Sequence, residues 1–320
     1  MNYMDVLLQV SRDTVLKSLT SDIGDKDKKA LFKVAVEIIN LETSYQCNRK
    51  CDYCPVSNST RQTTQSSMSL DLIEKISIQL AEIRYGNLIT LNLYNEPLLD
   101  LELEKKIKII RSYLPWATIA LNSNGDKLKK ARLKQLSNSG LNYICVTLHP
   151  QPYKSDSPSM LNNRIKKMIE KNAEDSNLSF NLDDGNVEFF THGLRVKIQW
   201  PDWRSIGTDR GGQIENYSSD KVRRMAPCAK PLREFTVFYD GEVQPCCESF
   251  HDNDELLIKI ANLNHASIFD AYASNKLAAF RRSVFNFGAK SGICKFCNAP
   301  DYSNKHSDES LREEILRIVK

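Results

Sequence analysis

The sequence lacks any long apolar run. Across its 320 residues no hydrophobic stretch approaches the roughly 18 residues that a membrane-spanning helix needs. Acidic residues interrupt the segment MNYMDVLLQVSRD, where a secretory signal would carry its apolar core. These absences argue against a membrane or secreted protein, so we expect a globular cytoplasmic one. The near balance of 44 basic and 40 acidic residues, a formal charge of +4, gives no sign of nucleic acid as a partner.

Cysteine is also scarce, with nine residues in the chain, yet most of the cysteines are clustered. Cys47, Cys51 and Cys54 lie within eight residues, and no histidine occurs between Cys54 and His149. In a reducing cytosol such clustering favours metal binding over disulfides. A structural zinc site needs four ligands, whereas three cysteines can hold an iron-sulfur cluster and leave one iron open. The missing fourth ligand therefore favours an iron-sulfur cluster.

Apolar strand-like segments alternate with helical segments between residues 33 and 200. The predicted strands are, in order, KVAVEIINLETSYQC, NLITLNLY, ATIALNSNG, YICVTLHP and LRVKIQW. About five such alternations predict a parallel sheet with crossover helices. Sites in folds of this kind lie at the carboxyl ends of the strands. The first cysteine group follows the first predicted strand directly, so its position agrees with its chemistry.

A second group of cysteines lies beyond residue 213. The segment REFTVFYDGEVQPCCESF predicts two strands joined by a hairpin turn at Asp240-Gly241. The cysteines around this hairpin and after a predicted helix, LAAFRRSVFNFG, are Cys228, Cys246, Cys247, Cys294 and Cys297. Their spacing alone slightly favours zinc over a fully ligated iron-sulfur cluster. Adjacent side chains on a strand diverge, so only one of Cys246 and Cys247 is expected to face a metal.

The two cysteine groups together resemble the radical S-adenosylmethionine (SAM) superfamily. The first group has the motif C-x3-C-x2-C, written CNRKCDYC, with an aromatic residue, Tyr53, before the third cysteine. In the second group twelve residues separate Cys228 from Gly241 and four separate Gly241 from Cys246; a C-x2-C pair that ends at Cys297 follows. This pattern resembles the auxiliary-cluster region of the SPASM and twitch subgroup. No cysteine follows Cys297, which favours the twitch form with one auxiliary cluster.

The resemblance implies an α/β fold, a partial (β/α)6 TIM-type barrel with a small C-terminal twitch/SPASM-like auxiliary iron-sulfur domain. It implies a helical extension over residues 1–34, the barrel over 35–212 and the auxiliary domain over 213–320. The implied cofactors are SAM and two 4Fe-4S clusters, one catalytic and one auxiliary. The implied cluster ligands are Cys47, Cys51, Cys54, Cys228, Cys246, Cys294 and Cys297, with Cys247 as the alternative to Cys246.

The resemblance also implies residues that bind SAM. The implied set is Tyr53, Glu96, Asn122, Asn124 and Thr147. Tyr53 would lie near the adenine, and Glu96, in YNEP, stands where the family usually has a Gly-Gly-Glu motif that contacts the methionine amine. The other three end the third and fourth predicted strands, where a turn or cap role is an equal alternative. Arg210, in SIGTDRGGQI, is the implied catalytic candidate: it would orient SAM or substrate, or assist loss of a proton, and its alternative is an exposed loop arginine.

Three functions follow from these patterns. The leading one is a radical SAM oxidoreductase whose 5'-deoxyadenosyl radical abstracts hydrogen from a small hydroxylated molecule, such as a sugar or cyclitol. The auxiliary cluster would accept an electron, and flavodoxin or ferredoxin would act as external electron donor. The alternatives are a maturase of a ribosomally synthesised peptide and a non-catalytic metal- or iron-sulfur-binding protein. Outside both cysteine groups, Cys145 is predicted as a buried strand thiol, and His149 and His192 as structural or solvated.

Overall fold

The structure is a computed structural model. It describes residues 12–21, 23–149, 157–174, 178–200, 209–210, 214, 222–250, 252, 257–285 and 288–299. The chain divides into two compact units. We call Leu41–Ile78 with Gly86–Gly207 the barrel unit, and Met1–Asn40 with Gln79–Tyr85 and Thr208–Lys320 the C-terminal unit. The domain boundaries after residues 34 and 212 stay predictions.

The described residues form short helices and strands that alternate through much of the chain. The helices are α1 Arg12–Ser18, α2 Asp25–Ala35, α3 Leu70–Glu82, α4 Leu103–Tyr113, α5 Lys130–Asn138, α6 Pro158–Asn172, α7 Lys230–Arg233, α8 Ile268–Tyr272 and α9 Asn275–Val284. The strands are β1 Ile38–Leu41, β2 Leu88–Thr90, β3 Thr118–Ser123, β4 Tyr143–Thr147, β5 Asn186–Thr191, β6 Leu194–Gln199, β7 Glu234–Val237, β8 Glu242–Gln244 and β9 Ala261–Asn262. Among the helices in these described ranges, none combines the length and the apolar character that a membrane span requires.

The barrel unit contains strands in the order β5-β6-β4-β3-β2. The pairs β2–β3, β3–β4 and β4–β6 are parallel, which confirms the parallel sheet predicted from the alternation of segments. Strands β5 and β6 form an antiparallel hairpin at the edge of this group. Its two turn residues, His192 and Gly193, have φ angles of 52° and 79°, the left-handed conformation that a two-residue hairpin turn favours. His192 therefore has the structural role predicted for it.

The core of the barrel unit lies along the parallel strands. Ile89, Ile119 and Ile144 on β2, β3 and β4 are fully buried. Parallel strands of this kind are buried on both faces, which explains their nearly continuous apolar character. The apolar stripes of α4 and α5 are buried as well, through Ile107 and Leu133. This packing fixes the ends of β2, β3 and β4, from which the loops of the candidate site emerge.

The C-terminal unit contains the strand order β1-β7-β8-β9. Strands β7 and β8 are antiparallel and pair Val237 with Val243, so the hairpin predicted at Asp240-Gly241 is confirmed. Gly241 has a φ angle of 87°, a conformation that side chains with a Cβ rarely adopt. Helix α9 confirms the helix predicted before the last cysteine pair.

The start of the first predicted strand is wrong. Residues 33–35 of KVAVEIINLETSYQC belong to helix α2, and the strand begins only at Ile38. Phe32 explains the difference, because its ring is fully buried and packs edge-on against Phe235, Phe269 and Tyr272 at centroid distances of 5.2–5.7 Å. Such aromatic packing outweighs the strand preference of β-branched residues, which is a weak guide by itself.

Candidate active site and metal centres

The first cysteine group lies in a loop that follows β1. The amide of Cys47 donates to the carbonyl of Arg61 at 3.1 Å, and that of Cys54 donates to the carbonyl of Cys51 at 2.9 Å. The Arg61 guanidinium is fully buried and donates to Glu42 Oε1 at 2.7 Å and to the Tyr45 carbonyl at 3.1 Å. Glu42 and Tyr45 precede the cysteines and Arg61 follows them, so these contacts join the two ends of the loop. Loss of either partner would leave an unpaired buried charge, which is strongly destabilising.

The chemistry of the three thiols fits an iron-sulfur cluster. None of the three forms a disulfide, each is half-buried, and the thiols of Cys51 and Cys54 contribute to the raised pKa of Cys47, so the group is brought together. Burial is the main cause and raises the pKa of Cys47 to about 12. Within the described ranges no three His, Cys, Asp or Glu side chains are arranged to hold a single metal ion. Thiolates are the ligands that iron-sulfur clusters require, and metal binding displaces their protons.

Tyr53, predicted to lie near the adenine, contacts His149. The Tyr53 hydroxyl is 2.5 Å from His149 Nδ1, and the two rings stack at a centroid distance of 5.7 Å. Burial lowers the pKa of His149 to about 4. This contact gives His149 a structural role, one of its two predicted alternatives. Nothing in the sequence joins it to Tyr53, but the fold places it beside the cysteine loop, two residues after the end of β4.

Glu96 holds the loops around the cysteines together. Its buried carboxylate accepts from Ser123 Oγ at 2.7 Å, from the Asn124 amide at 2.7 Å and from the Leu98 amide at 3.0 Å. Its own amide donates to the carbonyl of Gln46, next to the first cysteine, at 2.7 Å. Burial raises the pKa of Glu96, and the three donors partly offset that effect. Contact with the methionine amine stays a prediction.

The other predicted SAM-binding residues fall into two groups. Asn124 Nδ2 donates to Asn48 Oδ1 in the cysteine loop at 2.9 Å, so Asn124 belongs to the same site. Thr147 accepts from Gln199 Nε2 at 3.0 Å across the β4–β6 pair, and the Asn122 amide donates to Asn92 at 2.7 Å. These contacts of Thr147 and Asn122 belong to the strands, and the roles of both toward SAM stay predictions.

A charged clamp that the sequence did not reveal ties the cysteine loop to the end of β3. Arg49 donates through Nε to Asp126 Oδ2 at 2.8 Å and through Nη2 to Asp126 Oδ1 at 2.5 Å. Asn48 Nδ2 donates to the same carboxylate at 2.8 Å. Burial alone would raise the pKa of Asp126, but the hydrogen bonds and charge of Arg49 outweigh it and hold that pKa below its ordinary value. The polar spacer of the C-x3-C motif therefore positions the first two cysteines.

We expect Asp126→Asn to loosen this clamp. The change removes the carboxylate that Arg49 grips with two hydrogen bonds, and we expect a loss of about 1–2 kcal/mol in the free energy of unfolding. Urea titration and the rate of iron loss to a chelator measure the two consequences. Glu188→Gln is the matched control, because its pair with Arg195 on the exposed hairpin should contribute less than about 1 kcal/mol. Equal effects of the two changes would contradict a clamp at Asp126.

The lowered pKa of His149 predicts acid sensitivity. The folded value of about 4 lies below the unfolded value of roughly 6.5, so the unfolded state takes up the proton first. The contribution of neutral His149 to the free energy of unfolding is therefore complete above about pH 6.5 and decreases toward pH 4. By pH 5 about 2 kcal/mol of this contribution is lost. Comparing urea titrations at pH 7.5 and pH 5 for the wild type and His149→Gln isolates this share. Gln can accept from Tyr53 but does not titrate, so identical pH dependence in both proteins would refute the assignment.

The second cysteine group lines a cavity in the C-terminal unit. Its lining includes four thiols, three cations and one carboxylate: Cys228, Cys246, Cys294, Cys297, Arg224, Lys230, Lys290 and Glu248. Burial raises the pKa of Cys294 to about 12 and raises that of Cys297. Within the part of the chain that the structure describes, no three His, Cys, Asp or Glu side chains are arranged to hold a single metal ion, so the slight preference of the spacing for zinc finds no support in the geometry. Four thiols around one cavity also match the ligand set of a 4Fe-4S cluster.

The adjacent pair Cys246 and Cys247 points in two directions. Cys246 lines the cavity, and the thiols of Cys294 and Cys228 contribute to its raised pKa, after burial as the main cause. Cys247 is absent from the lining, and its sulfur lies 3.6 Å from Lys230 Nζ and 3.9 Å from Glu248 Oε1. This divergence agrees with Cys246 as the ligand, which stays a proposal.

Arg210 lies in the C-terminal unit in a left-handed conformation, with a φ angle of 49°. Its Nη1 is 3.4 Å from Glu248 Oε2, and the preceding residue, Asp209, exchanges hydrogen bonds with Asn298 at 2.8 and 3.3 Å. Of the segment SIGTDRGGQI, all except residues 209, 210 and 214 lie outside the described residues. The catalytic role of Arg210 stays a prediction.

Comparison with known protein families agrees with both halves of the sequence pattern. Residues 41–150 match the model of the radical SAM superfamily, and residues 228–298 match that of an iron-sulfur cluster-binding domain, SPASM. These matches confirm the predicted resemblance to the radical SAM superfamily, and with it SAM and 4Fe-4S clusters as cofactors. Together with the dehydrogenase relative described next, they indicate an enzyme, an oxidoreductase, in place of the non-catalytic alternative.

Relatives of this chain include an S-adenosyl-L-methionine-dependent 2-deoxy-scyllo-inosamine dehydrogenase of Niallia circulans. The two are 27% identical over 262 residues, which cover 82% of this chain and 92% of the relative. A GTP 3',8-cyclase of Helicobacter pylori is 26% identical over 192 residues, 59% of this chain and 54% of the cyclase. The alignment with the dehydrogenase therefore covers more of this chain than the alignment with the cyclase.

Solved structures confirm the predicted fold class of this chain. The crystal structure of BtrN in complex with AdoMet and 2-DOIA has a TM-score of 0.64 and 24% identity, and the match covers 84% of this chain and 96% of BtrN. BtrN in an open conformation has a TM-score of 0.54 and 23% identity, covering 82% and 92%. The partial barrel with its C-terminal auxiliary domain is therefore the fold of this chain.

Proposed function

We propose that this protein is a radical SAM dehydrogenase that oxidises a small hydroxylated molecule such as an aminocyclitol, cyclitol or sugar. The observation that carries the proposal is the cavity lined by Cys228, Cys246, Cys294 and Cys297. Four thiols ligate every iron of a 4Fe-4S cluster, so no iron is left to bind substrate and the group suits electron transfer. The similarity to a SAM-dependent 2-deoxy-scyllo-inosamine dehydrogenase supports the same reaction class.

Cys47, Cys51 and Cys54 would hold the catalytic cluster, and the four thiols of the C-terminal unit would hold the auxiliary one. When bound, the clusters and SAM would supply the redox chemistry, in which a 5'-deoxyadenosyl radical abstracts hydrogen from a carbon that bears a hydroxyl. The substrate would then lose a proton and pass its remaining electron to the auxiliary cluster. The chain itself contributes binding and orientation. A reductant of the flavodoxin or ferredoxin class would supply the electron that cleaves SAM, in the cytoplasm.

Residues of the barrel unit would position SAM. Glu96 and Asn124 hold the ends of β2 and β3 against the cysteine loop. Tyr53 is fixed by His149 and presents a rigid aromatic ring beside Cys51. Arg210 would orient substrate or assist loss of the proton. Hydrogen bonds within the chain hold these side chains in place before SAM and substrate bind. Such pre-organisation limits the side reactions of a radical.

Transfer of a labelled hydrogen tests the proposal. Protein reconstituted under anaerobic conditions would be incubated with SAM, a strong reductant and 2-deoxy-scyllo-inosamine deuterated at its carbinol carbons. We expect deuterium in 5'-deoxyadenosine and a ketone product in equal amounts. A panel of related cyclitols and aminosugars would define the preferred substrate. Formation of 5'-deoxyadenosine without label or ketone across the whole panel would refute dehydrogenation of this substrate class.

A further inference from the structure

One face of the sheet in the barrel unit carries polar side chains. Strand register joins four residues into a row that crosses this face from β3 to β5: Asn122, Cys145, Lys197 and Glu188. Asn122 and Glu188 are exposed, Lys197 is half-buried, and Cys145 is buried between them. On the opposite face the neighbouring row is apolar and buried: Leu121, Ile144, Val196 and Phe189. The sheet therefore has one packed face and one accessible face.

The accessible face is the inner face of the barrel. In a (β/α) barrel the helices form the outer ring and cover the outer face of the strands, so the buried apolar row belongs to the outer face. The interior of such a barrel is ordinarily filled by bulky apolar side chains. An inner row with an amide, an ammonium and a carboxylate instead carries polar groups that need polar partners. This inner face is therefore suited to bind a polar small molecule.

The polar row lies close to the loop that carries the first cysteine group. Thr147 and Gln199 form the next row toward the carboxyl ends of β4 and β6. Two residues of a strand rise about 6.6 Å, so Lys197 lies about that far behind these ends. Asn124, directly after β3, donates to Asn48 in the cysteine loop at 2.9 Å. A small molecule that contacts Lys197 would therefore extend to the level of the cysteine loop.

Lys197 has no ion-pair partner among the residues that the structure describes. Its neighbour across the β5–β6 pair is Glu188, but this carboxylate accepts from Arg195 Nε at 3.0 Å and from Arg195 Nη2 at 2.6 Å. Burial raises the pKa of Cys145, and the Tyr143 hydrogen bond and the charge of Lys197 partly offset this effect. The ammonium therefore lies near the middle of the inner face, where the two cations of β6 outnumber the one carboxylate of β5.

Such an ammonium favours an anionic oxygen group, because a charge-assisted hydrogen bond offsets the water that a half-buried cation has lost. We propose that Lys197 determines substrate specificity by binding a carboxylate or phosphate group of the substrate, which is then an acidic sugar or cyclitol. A neutral hydroxyl can also accept from Lys197, but more weakly, whereas a protonated amine at this place is repelled. The inference rests on the proposed function, since it narrows the substrate class of the same reaction.

Binding to the reconstituted protein, with SAM present and no reductant, tests this role without turnover. Isothermal titration calorimetry would compare four probes that share one ring: glucose, glucosamine, glucuronate and glucose 6-phosphate. We expect glucuronate or glucose 6-phosphate to bind about tenfold more tightly than glucose, and glucosamine to bind most weakly. The tighter of the two anionic probes distinguishes a carboxylate site from a phosphate site.

Three variants assign the preference to Lys197. In Lys197→Met we expect the affinity for the preferred anionic probe to fall about tenfold and its advantage over glucose to disappear. Lys197→Arg keeps the charge and should keep the preference. Lys134→Met is the matched control, because Lys134 is exposed on helix α5 and therefore lies outside the inner face. Iron content should be the same in all three variants.

The outcomes separate this inference from the proposed function. If glucose binds as tightly as both anionic probes, or if Lys197→Met keeps the preference for an anion, the specificity role is refuted and dehydrogenation is unaffected. Binding of none of the four probes would also overturn it, because the shared anionic group then finds no site. Anion binding that depends on Lys197, without transfer of label from any bound compound, would support the site and refute the proposed function.

Discussion

Replacing Cys47, Cys51 and Cys54 together with alanine is expected to reduce formation of 5'-deoxyadenosine to the level of a sample without protein. The three thiols come together in one loop, and a cluster held there is the only proposed route for an electron to SAM. Iron and sulfide should fall to about half of the wild-type content, because the second cysteine group is untouched. Chromatography of the nucleoside and iron analysis of anaerobically reconstituted protein measure both effects.

Cys145→Ala is the matched control for this loss. Cys145 is a thiol that is 4% exposed in the middle of β4, as predicted for a buried strand cysteine. Its removal should cost about 1–2 kcal/mol of stability through lost packing and leave SAM cleavage at the wild-type rate. If the triple variant still cleaved SAM, or if Cys145→Ala lost cleavage equally, the first cysteine group would not be the catalytic cluster site.

The sequence predicted the fold where local patterns and global packing agree. The alternation of strand-like and helical segments correctly predicted β2, β3, β4 and β6 with the helices between them, because buried parallel strands and amphipathic helices have different periodicities. It failed at residues 33–35, where Phe32 draws the chain into helix α2 through aromatic partners more than 200 residues away. Contacts between residues so far apart along the chain leave no periodic signal in the sequence.

The same limit applies to the candidate site. The C-x3-C-x2-C motif predicted the thiols, since their chemistry requires close spacing along the chain. The partners that orient the loop could not be predicted: Asp126 is 77 residues from Arg49, and His149 is 96 residues from Tyr53. Any Asp after a strand or any His near a Pro would have been an equal candidate. The fold alone selects these two, because the carboxyl ends of parallel strands meet at one edge.

Cys246→Ala is expected to remove the auxiliary cluster while SAM cleavage continues. Cys246 lines the cavity with three other thiols, and its loss would leave one iron without a protein ligand, so that the cluster is no longer held. The ketone product should then fall by more than the roughly 10–100-fold typical of residues outside the metal's own ligands. Formation of 5'-deoxyadenosine should persist, uncoupled from product, because the first cysteine group is intact. Iron analysis together with product and nucleoside yields measures the uncoupling.

Cys247→Ala provides the decisive comparison, because it makes the same chemical change one residue away. The Cys247 sulfur lies beside Lys230 and outside the cavity lining, so its loss should leave iron content and the ratio of ketone to 5'-deoxyadenosine unchanged. If Cys247→Ala lost the cluster and Cys246→Ala kept it, the ligand assignment would be reversed. If neither change reduced the iron content, the four-thiol cavity would not hold the electron acceptor, and dehydrogenation would lose its main support.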